Sequence, residues 1–233
     1  MGFAVACLVI AGIVIAVTAG GTTETVGDDT LGVGGVRSST APIAAGGTDR
    51  PVFARLGDRN LLLPVAAGDA TIIAYQAVSD ERAIPLTPIG DQANSNALVR
   101  FFRSIFSSQP AVRYYVLEGT EGEPNTSVLV GAPPGSPVTA PVSGVVTGVK
   151  EYLLYGKYAD VQIDIRPEKS SGITVSLLFI SDPVVSIGEV VTAGKTQLGK
   201  VRGCPEDLGE ALALYTHDSG SHVYLQVSGE PVD

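Results

Sequence analysis

The chain has 233 residues, with 24 acidic side chains against 15 basic ones and a net charge of -9. That balance excludes a general nucleic-acid or anionic-membrane surface. Sparse charge, at 17% of residues, and only two cysteines exclude coiled coils and disulfide scaffolds.

The first charged side chain is Glu24, and residues 1–19 read MGFAVACLVIAGIVIAVTA. As a helix this run is roughly 28 Å long, close to the roughly 30 Å hydrocarbon layer. Residues 1–19 are therefore predicted to be a transmembrane or signal segment. A single-pass anchor with an extracytoplasmic body is the primary expectation. The alternative is secretion after cleavage, for which Val17 and Ala19 supply the small-residue pattern. Residues 20–50 are rich in Gly and Thr, have little to bury, and read as a flexible linker.

From Pro51 the texture changes. VFARLG, NLLLPV, TIIAYQAV and AIPLTPIG predict four strands, with DRN and AAGDA as turns. In the next stretch Leu98, Val99, Phe102, Ile105 and Phe106 fall on one helical stripe. They predict one helix, ended by Pro110. RYYVLEG is the next strand. Residues 51–120 thus read as a small β-rich region with one helix.

Residues 121–233 read as an all-β domain. The predicted strands are SVLVGAP, GVVTGVKEYLL, ADVQIDIRP, GITVSLLFI, EVVTAG, KTQLGKV, EALALYT and HVYLQV. In ADVQIDI, Val161, Ile163 and Ile165 alternate with Gln162, Asp164 and Arg166, the pattern of a sheet with one solvated face. SPVTAPVSGVVTGV and DPVVSIGEVVTAGK echo one another, as two related hairpins of a compact barrel-like sandwich would.

Reactive chemistry is scarce. His217 and His222 are the only histidines; with Asp218 they fall short of the four ligands of a closed zinc site. Ser143, in PVSGVV, lacks a nucleophile elbow. No glycine loop is followed by Lys-Ser/Thr. Lys150, Lys157 and Lys195 lack the methionine flank of a carrier lysine. No cofactor, metal or catalytic residue is predicted, and no nucleic-acid partner.

Four phrases in series, GSPVTAPVSGVVTGV, YGKYADVQIDI, VVSIGEVVTAGKTQLGKV and GSHVYLQV, resemble the LytM-like M23 metallopeptidase domain. The resemblance spans about residues 125 to 230 and implies the duplicated-hybrid-motif fold. Members of that family are zinc endopeptidases of peptidoglycan. The resemblance places Asn125 and Leu129 where the family has a zinc-binding His and Asp. Tyr224 stands at the second His of the His-x-His pair, Phe179 at a further histidine, and His222 at the first His of that pair. Leucine has no donor atom and tyrosine is a poor ligand at neutral pH, so zinc would be neither held nor able to activate water. The expectation is a degenerate, non-catalytic binding module, a pseudopeptidase engaging peptidoglycan or an envelope protein. Its groove would be lined by Asn125, Phe179, His222 and Tyr224. A structural or assembly protein of the envelope is the alternative, and an active zinc endopeptidase a lesser one. A solvent-exposed groove would favour binding; a tightly filled one would favour scaffolding.

Overall fold

In the computed structural model the described residues are 49–94, 112–117, 123–205, 212, 215–216 and 218–229. The expected membrane segment, the linker up to residue 48, the helix after Asn94 and His217 lie outside them.

The four apolar runs after Pro51 form β1 (Val52–Leu56), β2 (Arg59–Leu62), β3 (Ile72–Gln76) and β4 (Thr87–Pro88). Two short strands come next, β5 (Asp91–Gln92) and β6 (Arg113–Val116). The remainder comprises β7 (Ser127–Gly131), β8 (Pro137–Thr139), β9 (Gly144–Leu154), β10 (Tyr158–Pro167), β11 (Ile173–Ser181), β12 (Val190–Val191), β13 (Gln197–Val201) and β14 (His222–Gly229). The fold is nearly all β, as its sequence implied. Of EALALYT only Leu212, Tyr215 and Thr216 are described, and there the Thr216 amide donates to the Leu212 carbonyl at 2.9 Å.

β2-β1-β4 make a small sheet, and eleven strands make a large one whose main path runs β12-β9-β10-β11-β14-β7-β3-β6-β5. β3 pairs with β7 antiparallel and with β6 parallel. The sequence boundary between residues 120 and 121 therefore falls inside one sheet, and both sides of it belong to one compact unit, Ala41–Asp233. The two echoing segments lie side by side where β12 pairs with the start of β9. Gly144 is required there, since a Cβ would meet the Arg166 carbonyl oxygen at 2.2 Å.

The central strands are buried on both faces. Ile73 and Tyr75 of β3, Val128 and Val130 of β7, and Val223, Leu225 and Val227 of β14 enter the main core with Phe53 and Leu61. The intervening Ile72, Ala74, Leu129 and Tyr224 enter a second cluster on the opposite face. Double burial explains why TIIAYQAV and SVLVG are continuous apolar runs instead of alternating ones.

Tyr75 ties the two sheets together. Its buried hydroxyl donates to the Phe53 carbonyl at 2.8 Å, and its ring meets Tyr114 edge-on at 5.3 Å. Tyr75→Phe is expected to cost about 1 kcal/mol in chemical denaturation. The loss stays small because the Phe53 carbonyl keeps the Ile89 amide as a donor. A loss below experimental error would show that the bond adds nothing net.

The second face of β10 is drier than its alternation suggested. Asp164 is buried and accepts from Lys150 Nζ at 2.6 Å, Gln162 Nε2 at 2.6 Å and Ser176 Oγ at 2.7 Å. A buried carboxylate is tolerable there because its acceptor sites are filled and one partner is cationic.

Candidate functional site

The site lies where β11, β14 and β7 adjoin on the second face. Period two places His222, Tyr224 and Gln226 of β14 on that face, while Val223, Leu225 and Val227 enter the main core. Leu129 of β7 lies directly across from Tyr224.

Phe179 reaches this face through a bulge. Val175 and Leu177 of β11 point into the main core, so regular alternation would send Phe179 there too. The register with β10 shifts instead: Val161 pairs with Ile180 but Ile163 with Leu177, which leaves one extra residue in β11. Phe179 adopts φ of 66° at this bulge and joins the second cluster. A left-handed conformation costs a bulky L-residue roughly 1–2 kcal/mol, so its packing has to offset that cost.

That packing is aromatic. The Phe179 ring meets His222 edge-on, with centroids 4.9 Å apart, and Tyr224 at 6.1 Å. The Arg202 guanidinium lies 5.3 Å from the Phe179 centroid, and its Nε donates to Asp160 Oδ2 at 3.0 Å. The Asp160 side chain is fully buried and that of Arg202 is 12% exposed. Burial pushes the Asp160 carboxyl above the ordinary range, opposed by Arg202 and by the Val161 and Phe179 amides.

His222 Nδ1 lies 2.7 Å from the Gly220 carbonyl oxygen. A carbonyl only accepts, so Nδ1 carries the proton and Nε2 is a bare acceptor. That Nε2 is buried, with no hydrogen-bond partner among the described residues. Burial lowers the imidazole pKa to about 4, against the Gly220 bond and with the help of nearby Arg202. Tyr224 is also neutral: burial raises its hydroxyl, which donates to Gln226 Oε1 at 3.2 Å, and Gln226 Nε2 donates to Asp80 at 2.9 Å.

Three of the four expected groove residues therefore meet: Phe179, His222 and Tyr224. They are 7%, 9% and 9% exposed, with Leu129 and Leu212 in the same face. The groove is filled. Asn125 is not gathered with them. It is half-buried, its carbonyl accepts from the Leu86 amide, and it sits four residues before Leu129, about 13 Å along extended chain. Sequence reasoning missed Asp160 and Arg202. The available signal was Asp160 opening an apolar strand and one arginine following GKV.

The residues present do not fit zinc. Leu129 offers no donor atom, Tyr224 is a neutral phenol already bonded, and His222 supplies one nitrogen. Among the described residues no group of three His, Cys, Asp or Glu side chains converges.

No protein-family model matches the chain. No curated protein matches it either. Solved structures do, M23 proteins among them. The catalytic domain of the prophage-encoded M23 protein EnpA from Enterococcus faecalis, as a point mutant, is 20% identical. That match covers 49% of this chain and 75% of the other, with a TM-score of 0.35. The M23 metalloprotease pseudoalterin, described as from the deep sea, is 21% identical over 48% of this chain and 61% of its own, with a TM-score of 0.31. A zinc-containing peptidase from Vibrio cholerae is 16% identical over 77% of this chain and 44% of its own, with a TM-score of 0.32. This chain spans less than two thirds of the last two.

Proposed function

We propose that this chain is a non-catalytic module of the bacterial envelope, a pseudopeptidase whose body binds a protein partner or the cell wall without cutting it. One observation carries the non-catalytic part of this reading. Where the M23 resemblance places metal ligands, Leu129 and Tyr224 join Phe179 in a buried apolar and aromatic cluster beside a neutral His222. Such a cluster can neither hold a divalent cation nor lower the pKa of water. The apolar residues 1–19 support placement at the membrane. A second reading, an assembly protein of the envelope, is favoured by the same filling, since a packed groove leaves recognition to the outer surface.

The full chain, in detergent, is expected to be retained by isolated sacculi or by envelope extract and to release no soluble wall fragments. Its zinc content should stay well below one per chain, and added zinc should not raise its melting temperature. Stoichiometric zinc, or wall fragments that appear on zinc addition, would overturn the non-catalytic reading. Loss of retention by both materials would leave the assembly reading.

A further inference from the structure

Three large apolar side chains stand exposed within seven consecutive positions: Val184, Ile187 and Val190 are 60%, 66% and 70% exposed. Their backbone is fixed. The Val184 amide donates to the Leu198 carbonyl, the Gly188 amide to the Val146 carbonyl and the Glu189 amide to the Ser186 carbonyl. Val185 and Val191 enter the main core, so the three form the outer face of an anchored segment. Charge beside them is locally satisfied: Glu189 accepts from the Ser186 amide at 3.0 Å, and Asp182 pairs with Lys200 at 3.0 Å. An apolar patch of this kind marks a protein or a membrane contact.

The path of the chain selects the membrane. The turn after β12 abuts the start of the described body: a Cβ placed on Gly194 would lie 3.8 Å from Arg50 Cδ. Gly194 is four residues beyond Val190, within about 13 Å along the chain. The 48 residues before Asp49, among them the uncharged apolar residues 1–19, therefore join the body next to the exposed patch. Lys195 is exposed in the same turn, where a cation suits lipid headgroups. The far end of the body is distant. Tyr155 follows the eleven-residue β9, whose start pairs with β12, and so lies roughly 33 Å away along that strand.

We propose that Val184, Ile187 and Val190 dip into the interface of the lipid bilayer, with Lys195 at the headgroups. This rests on the placement of residues 1–19 in the membrane and adds which end of the body meets lipid. Three side chains would hold a free protein only weakly, since even a whole acyl chain gives marginal binding. A body tethered through residues 20–48 meets the surface at an effective concentration on the order of millimolar, where a weak contact is enough. Burial of apolar area drives the contact, so the net charge of -9 does not oppose it on neutral lipid.

The chain contains no tryptophan, so Ile187→Trp and Tyr155→Trp each place a single reporter, one at either end of the body. Each full-length variant is reconstituted in phosphatidylcholine nanodiscs with plain or brominated acyl chains, and its emission is compared between the two. Ile187→Trp should be quenched about twofold by the brominated chains, as for a side chain at the headgroup–acyl boundary, and Tyr155→Trp should be unchanged. Adding Val184→Asp and Val190→Asp to Ile187→Trp should abolish the quenching. Both positions are exposed, and an unchanged circular dichroism spectrum verifies the fold. Equal quenching of the two reporters, or quenching that survives the two aspartates, would overturn the proposal. So would an emission shift of Ile187→Trp that grows with protein concentration in detergent, which would give the patch to a second copy of the chain. A chain that fails to enter the discs would overturn the membrane placement itself. One that enters them and leaves Ile187→Trp unquenched would overturn this surface alone.

Discussion

Replacing Arg202 by methionine is expected to lower the unfolding free energy by about 3–5 kcal/mol, the usual cost of stranding one member of a buried ion pair. Asp160 would be left with a fully buried carboxylate whose guanidinium partner is gone, and the Phe179 ring would lose the cation lying over it. The pH dependence gives a second view of the same defect. Burial already raises the Asp160 carboxyl, and loss of Arg202 raises it further, so the folded state binds a proton that the unfolded state releases. The defect should shrink as pH falls through the raised folded pKa and reach its full size above it. Adding Asp160→Asn should recover much of the loss, because no unpaired charge then remains. Urea denaturation followed by circular dichroism tests both. A single variant that costs less than about 1 kcal/mol, the upper range for a surface pair, would mean that water reaches Asp160.

Acidification supplies the second large effect. His222 has a folded pKa of about 4 against an ordinary value of 6.5, with burial as the main cause. The folded state holds the ring neutral while the unfolded state takes up a proton. Stability is therefore fully present above pH 6.5, and falls as the pH drops from there through 4, by about 3 kcal/mol in all. Arg202 stands near the ring, and its partner Asp160 acts in the opposite sense, losing its charge cost as it protonates. The difference between the wild type and His222→Phe isolates the histidine. The variant keeps an aromatic edge against Phe179 and removes the unsatisfied Nε2, at the cost of the bond to Gly220. Its stability should be nearly free of the drop between pH 6.5 and 4. Parallel pH profiles for the two proteins would show that His222 is not the buried neutral group described here.

Much of the frame was legible because strand patterns are local. VFARLG, RYYVLEG and ADVQIDIRP have the length, β-branched content and turn neighbours that strands require, and each contains a strand. That Leu129 offers no donor atom was legible too, because the chemistry of that side chain does not depend on its surroundings. Less legible was the filling of the groove. Period two gave the common face of His222 and Tyr224, but that face could equally have been open to solvent. Phe179 was harder still, since alternation alone sends it to the main core, and only the bulge in β11 turns it toward His222.

The sequence by itself determined that the body is β and that its charge comes after an uncharged apolar start. Those properties reside in single residues and short periods. Only the tertiary structure decided that β3 and β6 share a sheet with β7 and β14 and that Asp160 meets Arg202 across 42 positions. Each depends on pairings between strands distant in the chain, which no local pattern specifies.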